Sequence, residues 1–166
     1  MIRSTPEENS MTTTNSHLPV QVQNVMQRHP VTIHDYQTVH DAVDLMTEHH
    51  VSALPVVDDG HYLRGIVTMS DLVRLVQDAE RTLDSDLAIY DNSFLVADMI
   101  RETLGTDEIA SVMSGVMFKV KQEDTLKTAA KVMVEHQLHH LPVVGKDMKL
   151  LGILSSMDFV RLAADA

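Results

Sequence analysis

An internal repeat constrains the fold of this chain more than any other feature. Residues 22–75 align without a gap to residues 109–162, 87 positions later, with identity at 18 of the 54 pairs. Both copies contain the run L-P-V-V, at 54–57 and at 141–144. A repeat of this length indicates two copies of one supersecondary unit, each of which needs the other to cover an apolar face. We therefore predict two similar units packed as a pseudo-twofold pair.

Each copy has the same order of predicted elements. In the first copy, an extended segment at 31–33 precedes a helix capped by Thr38. Two strands at 54–57 and 63–68 then form a hairpin, and Ser70 precedes a second helix. The second copy repeats this pattern at the same offset. The predicted fold class is α/β (α+β), built from two β-α-β-β-α units.

Composition along the chain suggests where the units begin and end. Residues 1–18 are rich in Ser, Thr and Glu and are predicted to be a disordered tail. The first unit is expected at 19–77 and the second at 108–166. The connecting segment, 78–107, is acidic but contains the apolar stretch Phe94–Val96, so we expect it to be partly helical.

Charge limits the possible partners. The 166 residues carry 24 acidic and 13 basic side chains, a formal charge of −11. This excess repels nucleic acid and anionic membrane surfaces, and no apolar run approaches the ~18 residues of a spanning helix, so we expect neither as a partner. The chain has no cysteine, which excludes disulfides and suits a reducing compartment. We expect a cytoplasmic location.

Catalysis and metal binding find little support in the sequence. Ten histidines include the doublets 49–50 and 139–140. Neighbouring side chains of an extended segment point to opposite faces, so each doublet offers one metal ligand at most. The H-E-x-x-H spacing of zinc proteases is also absent. With only six glycines there is no phosphate-cradling loop, and no Ser-His-Asp signature is present. We predict no enzyme activity, no catalytic residue and no metal site.

A second motif follows each L-P-V-V run. It reads G-I-V-T-M-S-D at 65–71 and G-I-L-S-S-M-D at 152–158, so both copies fit the pattern G-h-h-[ST]-x-x-D, where h is apolar. The duplicated pair of motifs resembles the tandem cystathionine-β-synthase (CBS) domains of a stand-alone Bateman module. This resemblance implies a regulatory sensor that binds adenosine-containing ligands in clefts between its two units. It also implies a homodimer that acts on another protein.

The motif supplies groups that suit a nucleotide. A carboxylate just inside a helix, at Asp71 or Asp158, can accept hydrogen bonds from both ribose hydroxyls. The hydroxyl of Thr68 or Ser155 can donate to a phosphate, helped by backbone N–H groups of the helix start near Ser70. The simpler interpretation is that these aspartates only cap their helices.

By resemblance, the purine is held by the unit opposite the aspartate. For the Asp158 site this implies Val31, Ser52 and Ala53; for the Asp71 site it implies Phe118, Leu138 and His139. The doublet His139-His140 replaces Ser52-Ala53 of the first copy. The resemblance therefore implies histidines facing the phosphates in the Asp158 cleft and none facing them in the Asp71 cleft. We expect the Asp158 site to be tighter for AMP, with an affinity that rises as pH falls toward about 6.

Two functions remain open at this point. The favoured ligand is AMP or another adenosyl compound, such as ADP, S-adenosylmethionine or NAD. The scarcity of Lys and Arg near the motifs makes ATP less favoured. The alternative is a structural dimerisation or interaction module with no physiological ligand. Both functions use the same fold, so the fold class does not distinguish them.

Overall fold

The computed structural model describes residues 19–83 and 105–165. The predicted tail at 1–18 and residues 84–104 of the predicted connecting segment lie outside the described residues, including the apolar stretch Phe94–Val96. The described elements are, in chain order, a 3₁₀ helix Val22–Asn24, β1 Gln27–Arg28, β2 Ile33–His34, α1 Val39–His49, β3 Ala53–Val57, β4 Leu63–Thr68, α2 Met69–Leu83, α3 Ile109–Val112, β5 Ser114–Gly115, β6 Val120–Lys121, α4 Leu126–His136, β7 His140–Val144, β8 Leu150–Ser155 and α5 Ser156–Ala164.

The predicted fold class is confirmed: two β-α-β-β-α units form a mixed α+β structure. Unit 1 contains β2 to α2, and unit 2 contains β6 to α5. Helix α2 begins at Met69, so Ser70, which was predicted to precede the helix, lies in its first turn. The helix continues to Leu83, so the start of the predicted connecting segment is helical. No helix among the described residues has the length and apolarity needed to cross a membrane.

The first helix of each unit begins and ends for local reasons. Thr38 forms a capping box with Asp41, and Thr125 accepts a hydrogen bond from the backbone N–H of Thr128. These side chains satisfy N–H groups that a helix start leaves unpaired. At the other end, His50 and Gln137 adopt left-handed backbone conformations with φ of 53° and 54°, which terminates each helix at the same place.

Each sheet contains one strand from the other half of the chain. The strand orders are β2-β3-β4-β5 and β1-β8-β7-β6. β1 precedes unit 1 but pairs antiparallel with β8 of unit 2, and β5 precedes unit 2 but pairs antiparallel with β4 of unit 1. The two units therefore exchange their first strands.

The hydrophobic cores follow the same exchange. Val22 and Met26 are buried in the core of unit 2, whereas Ile109 is fully buried in the core of unit 1. Burying one such aliphatic side chain contributes roughly 1.5–3 kcal/mol. A third cluster of Val57, Leu63, Val144 and Leu150 joins the two hairpins. The units are thus interlocked through strands and core side chains.

Candidate functional site

One aspartate caps the second helix of each unit: Asp71 in α2 and Asp158 in α5. Asp71 Oδ2 accepts hydrogen bonds from the backbone N–H of Thr68 at 2.8 Å and from Thr68 Oγ1 at 2.6 Å. Asp158 Oδ2 accepts the same pair from Ser155, at 2.7 and 2.8 Å. The reciprocal bond from the Asp71 N–H to Thr68 Oγ1 is 3.4 Å long. Both carboxylates are therefore fixed in position by the fold itself.

The capping boxes change the role expected for Thr68 and Ser155. We expected their hydroxyls to donate to a phosphate, but each hydroxyl donates its single proton to the neighbouring aspartate. In this arrangement the two hydroxyls position the carboxylates.

Asp71 and Asp158 differ in the groups near their second oxygen. Asp71 Oδ1 accepts a hydrogen bond from Ser114 Oγ at 3.2 Å and lies 3.7 Å from Arg74 Nη1. Asp158 Oδ1 accepts one from Arg161 Nη1 at 3.3 Å. A carboxylate offers about four lone-pair positions, so Asp71 keeps acceptor capacity for a ligand hydroxyl. Since Ser114 belongs to the exchanged strand β5, Asp71 is also in contact with the second half of the chain.

A cavity of about 430 Å³ lies beside Asp71, between the two units. Its volume falls in the range of roughly 300–1,000 Å³ that is usual for small-molecule pockets. Unit 1 contributes the end of β4 and the first turn of α2, while the second half contributes β5, the loop after it and the turn before β7. The lining consists of Ser52, Gly65, Ile66, Thr68, Met69, Ser70, Asp71, Arg74, Ser114, Gly115, Val116, Met117, Phe118, Gln137, Leu138, His139, His140 and Pro142.

The cavity brings together the residues that were predicted for the Asp71 cleft. One wall carries Thr68, Ser70 and Asp71, and the opposite wall carries Phe118, Leu138 and His139. The Phe118 ring stacks on His136, with ring centroids 4.0 Å apart and an interplanar angle of 29°. The cavity therefore has a polar side from unit 1 and an aromatic and apolar side from unit 2.

His139 was expected beside the purine of the Asp71 cleft, whereas the doublet as a whole was expected to face the phosphates of the Asp158 cleft. Both His139 and His140 line the cavity beside Asp71. The reason is that the turn before β7 lies where the two halves meet. His140 is also the strand partner of Ser155 across β7 and β8, which places it near Asp158 as well.

His140 is held in the neutral form by its surroundings. Burial lowers its pKa below the ordinary histidine value, and the neighbouring His139 lowers it further. The charge of Asp158 acts in the opposite direction and raises the pKa of His140, but it is the smallest of the three effects. An anion placed in the cavity would favour the protonated form of this side chain.

The residues predicted for the Asp158 cleft are distributed differently. Val31 is partly buried and packs against the core of unit 1, and Ala53 is buried in β3. Ser52 lines the cavity beside Asp71, and its carbonyl accepts a hydrogen bond from the Met69 N–H at 3.0 Å. Within this predicted set, Ser155 and Asp158 are joined by a side-chain hydrogen bond, inside their own capping box.

Two residues that line the cavity were not predicted from the sequence. Lys and Arg are scarce near the motifs, but Arg74 lines the cavity. Its position three residues after Asp71 on a predicted helix was a usable signal, since residues i and i+3 share a helix face. Ser114 gave no such signal, because its approach to Asp71 depends on the exchange of β5.

The ten histidines of the chain are potential metal ligands. Across residues 19–83 and 105–165, no group of three or more His, Asp or Glu side chains is arranged to hold a metal ion.

Comparison with known proteins identifies the family. The model of the CBS domain matches residues 22–78 and again residues 109–165. The chain therefore belongs to the CBS domain family and contains a tandem pair of these domains.

Individual relatives agree with this assignment. The chloroplastic CBS domain-containing proteins CBSX1 and CBSX2 of Arabidopsis thaliana are 29% identical over 131 residues and 31% identical over 135 residues, each alignment covering 76% of this chain. The chain spans only 56% and 55% of the length of these two proteins. A crystal structure of CBSX2 in complex with AMP matches with a TM-score of 0.68 and 27% identity, covering 88% of this chain and 97% of that one.

Proposed function

We propose that this chain is a non-catalytic regulatory module that binds an adenosine-containing nucleotide, with AMP favoured, in the cavity beside Asp71. One observation carries the proposal: the cavity joins a pre-positioned carboxylate from one unit to an aromatic and apolar wall from the other. The complex of CBSX2 with AMP supports this choice of ligand.

In this proposal Asp71 binds the ribose. Its carboxylate is fixed through Oδ2, so little side-chain freedom is lost on binding. Ser114 Oγ already donates to Oδ1, so about one lone-pair position remains for a ribose hydroxyl. That charge-assisted hydrogen bond would contribute roughly 1.5–3 kcal/mol, and a second ribose hydroxyl would have to replace Ser114 Oγ. The adenine then lies against Phe118, Leu138 and Pro142, where its faces are removed from water.

The phosphate is assigned to the polar end of the cavity. Ser70 lies in the first turn of α2, where N–H groups and the helix dipole favour an anion. His139, His140 and Arg74 also line the cavity and can provide positive charge. Arg74 is mostly exposed, so this set suits a monophosphate better than a triphosphate. ADP, S-adenosylmethionine and NAD remain further candidates, and ATP is less favoured.

We retain a second site at Asp158, with Val31, Ser52, Ala53 and Ser155, as a weaker proposal. The sequence favoured this site because histidines were expected beside it. Since both histidines line the cavity at Asp71, we now rank the Asp71 site as the tighter one.

A pair of matched variants tests the ribose contact. Asp71→Asn should weaken AMP binding by ~10- to 100-fold, the scale of one lost charge-assisted hydrogen bond. Asp158→Asn removes the same kind of capping charge from the other unit. It should leave the tighter affinity, which is assigned to Asp71, unchanged and is therefore the control for helix-start stability. Isothermal titration calorimetry measures the affinities. Each substitution alone should lower the free energy of unfolding by about 1 kcal/mol, because a helix cap is lost.

The alternative is a structural module with no physiological ligand. The capping boxes support it, because they account for an aspartate at positions 71 and 158 without a bound nucleotide. AMP at a hundred times its dissociation constant should stabilise the wild type by about 2.7 kcal/mol. A panel of AMP, ADP, ATP, S-adenosylmethionine and NAD that leaves the melting temperature unchanged would support the structural alternative. Equal losses of affinity in the two variants would argue against the assignment to Asp71.

We also propose that the chain forms a homodimer through helical faces of its CBS units and regulates another protein in response to the ligand. Exposed apolar side chains on α4 and α5, including Val134, Met157 and Val160, support self-association. A cytoplasmic location remains part of the proposal and rests on the cysteine-free composition, whereas CBSX1 and CBSX2 are chloroplastic.

A further inference from the structure

Three hydrogen bonds from the protein itself already occupy the Asp71 carboxylate, which offers about four lone-pair positions. The backbone N–H and the hydroxyl of Thr68 both donate to Oδ2, and Ser114 Oγ donates to Oδ1 at 3.2 Å. Arg74 Nη1 lies 3.7 Å from Oδ1, which is too far for a hydrogen bond. One acceptor position of Oδ1 is therefore left for a ligand.

The exchange of strands brings Ser114 to Asp71. Ser114 lies in β5, which belongs to the second half of the chain and pairs with β4 through Ile66. The carbonyl oxygen of Ser114 is 2.7 Å from the place where a Cβ on Gly65 would lie, so the backbone of Ser114 is held closely against β4. The hydroxyl beside Asp71 is therefore positioned by the fold, although the two residues are 43 positions apart in the sequence.

Unit 2 holds its aspartate in a different way. At the 87-residue offset Gln27 corresponds to Ser114, and it pairs with Ile153 of β8 as Ser114 pairs with Ile66. Asp158 Oδ1 accepts its hydrogen bond from Arg161 Nη1 of the same helix. A hydroxyl donor from the other half of the chain thus stands beside Asp71, where unit 2 has a glutamine at the equivalent strand position.

This hydroxyl competes with a ribose. One ribose hydroxyl can use the free position of Oδ1, but the second can bind Oδ1 only by replacing Ser114 Oγ. Such a replacement substitutes one hydroxyl donor for another, and Ser114 is exposed, so its released hydroxyl returns to water. The net gain is small, because only the difference between the hydrogen bonds made and lost contributes to affinity.

We infer that Ser114 is a specificity-determining residue, through which the Asp71 site recognises only one of the two ribose hydroxyls. The site then accepts adenosine nucleotides that lack the other hydroxyl about as well as it accepts AMP. The inference rests on the proposed function and extends its ligand class to deoxyadenosine nucleotides with a single hydroxyl on the sugar ring.

Calorimetry with AMP, 2′-deoxy-AMP and 3′-deoxy-AMP tests the inference. One of the two deoxy analogues should bind the wild type within about threefold of AMP, since the missing hydroxyl would only have replaced Ser114. Ser114→Ala frees the second acceptor position of Oδ1. Its affinity for AMP should therefore rise by ~10-fold, the low end of the range for a hydrogen bond to a charged group, whereas its affinity for that analogue should not change.

Two further variants serve as controls. Ser114→Thr keeps a hydroxyl donor at this position and should bind the three ligands in the same ratio as the wild type. Ser111→Ala removes a serine of α3 whose hydroxyl donates to the Glu108 carbonyl oxygen at 2.7 Å. It should also leave the ratio unchanged, so a general effect of losing a serine near β5 is distinguished from the loss of the bond to Asp71.

The outcomes separate this inference from the proposed function. If AMP binds the wild type and both deoxy analogues bind at least about tenfold more weakly, the inference is overturned and the proposed function stands. An unchanged ratio of AMP to analogue affinity in Ser114→Ala has the same meaning. If none of the three ligands binds the wild type, the proposed function fails, and the inference fails with it.

Discussion

At the scale of single residues, we expect His140 to set the pH response of ligand binding in the cavity. It is partly buried, its charge is affected by His139 and Asp158, and Asp71 and Arg74 line the same cavity. Asp158 is in turn paired with Arg161. Because burial lowers its pKa, the side chain is neutral near pH 7 when the cavity is empty. A bound phosphate would raise that pKa, so binding would take up a proton and strengthen as pH falls.

The pH dependence should therefore differ between wild type and His140→Gln. Between pH 7.5 and 6, the AMP affinity of the wild type should rise relative to that of the variant by ~2- to 5-fold, because His140 takes up a proton as the phosphate binds. The titration of the phosphate itself is common to both proteins and cancels in the ratio. Calorimetry in paired buffers measures the ratio, and parallel pH profiles would show that His140 does not contact the phosphate.

The same residue affects stability without ligand. Since the folded-state pKa of His140 lies below its unfolded value, its contribution to stability is present above the unfolded pKa and is lost as pH falls through that value toward the folded pKa. Urea denaturation at pH 8 and at pH 5 should show a larger loss for the wild type than for His140→Gln. An equal loss would mean that burial of His140 has little energetic effect.

At the scale of elements, the exchanged strands explain the glycine of each repeated motif. A Cβ on Gly65 would lie 2.7 Å from the Ser114 carbonyl oxygen and from Met113 Sδ, and a Cβ on Gly152 would lie 2.7 Å from the Gln27 carbonyl oxygen. Only glycine lets β5 and β1 approach so closely. The resemblance gave the motif a role in ligand contacts, whereas the structure adds this steric requirement.

Alanine substitutions test that requirement. Gly65→Ala and Gly152→Ala should each destabilise the protein by about 1–3 kcal/mol, because a strand backbone must shift to relieve the contact. Gly115→Ala is the control within β5 itself, since a Cβ there meets nothing within 4 Å. Urea denaturation gives all three values. A loss as large for Gly115→Ala as for Gly65→Ala would show that the effect is not the close approach of the strands.

The sequence predicted some elements well and others not at all. Strands β3 and β4 and helices α1 and α4 were predictable because their apolar periodicity and caps are local, and the repeat supplied each signal twice. Strands β1 and β5 are two residues long and pair across the repeat boundary, so no local pattern predicts their partners. The position of His140 beside Asp71 was not predictable for the same reason: it depends on how the two halves meet.

At the scale of the whole molecule, the interlocked cores predict that neither half is stable alone. A fragment of residues 1–83 would leave the side chains of Val22 and Met26 without their core, and a fragment of residues 105–166 would leave Ile109 exposed. We expect each purified fragment to give the narrow amide proton dispersion of an unfolded chain in NMR spectra. Mixing them should restore a dispersed spectrum. A folded spectrum from either fragment alone would show that the exchange is dispensable.

The turn at residues 137–139 belongs to two surfaces at once. It lines the cavity at Asp71, and it also lines an open apolar groove of about 530 Å³ between α4 and α5, beside Val134 and Phe159. An adjustment of this turn to an occupant of one surface would alter the shape offered at the other. If the proposed nucleotide occupies the cavity and the proposed partner copy covers the groove, thermodynamic reciprocity requires that each changes the affinity of the other by the same factor.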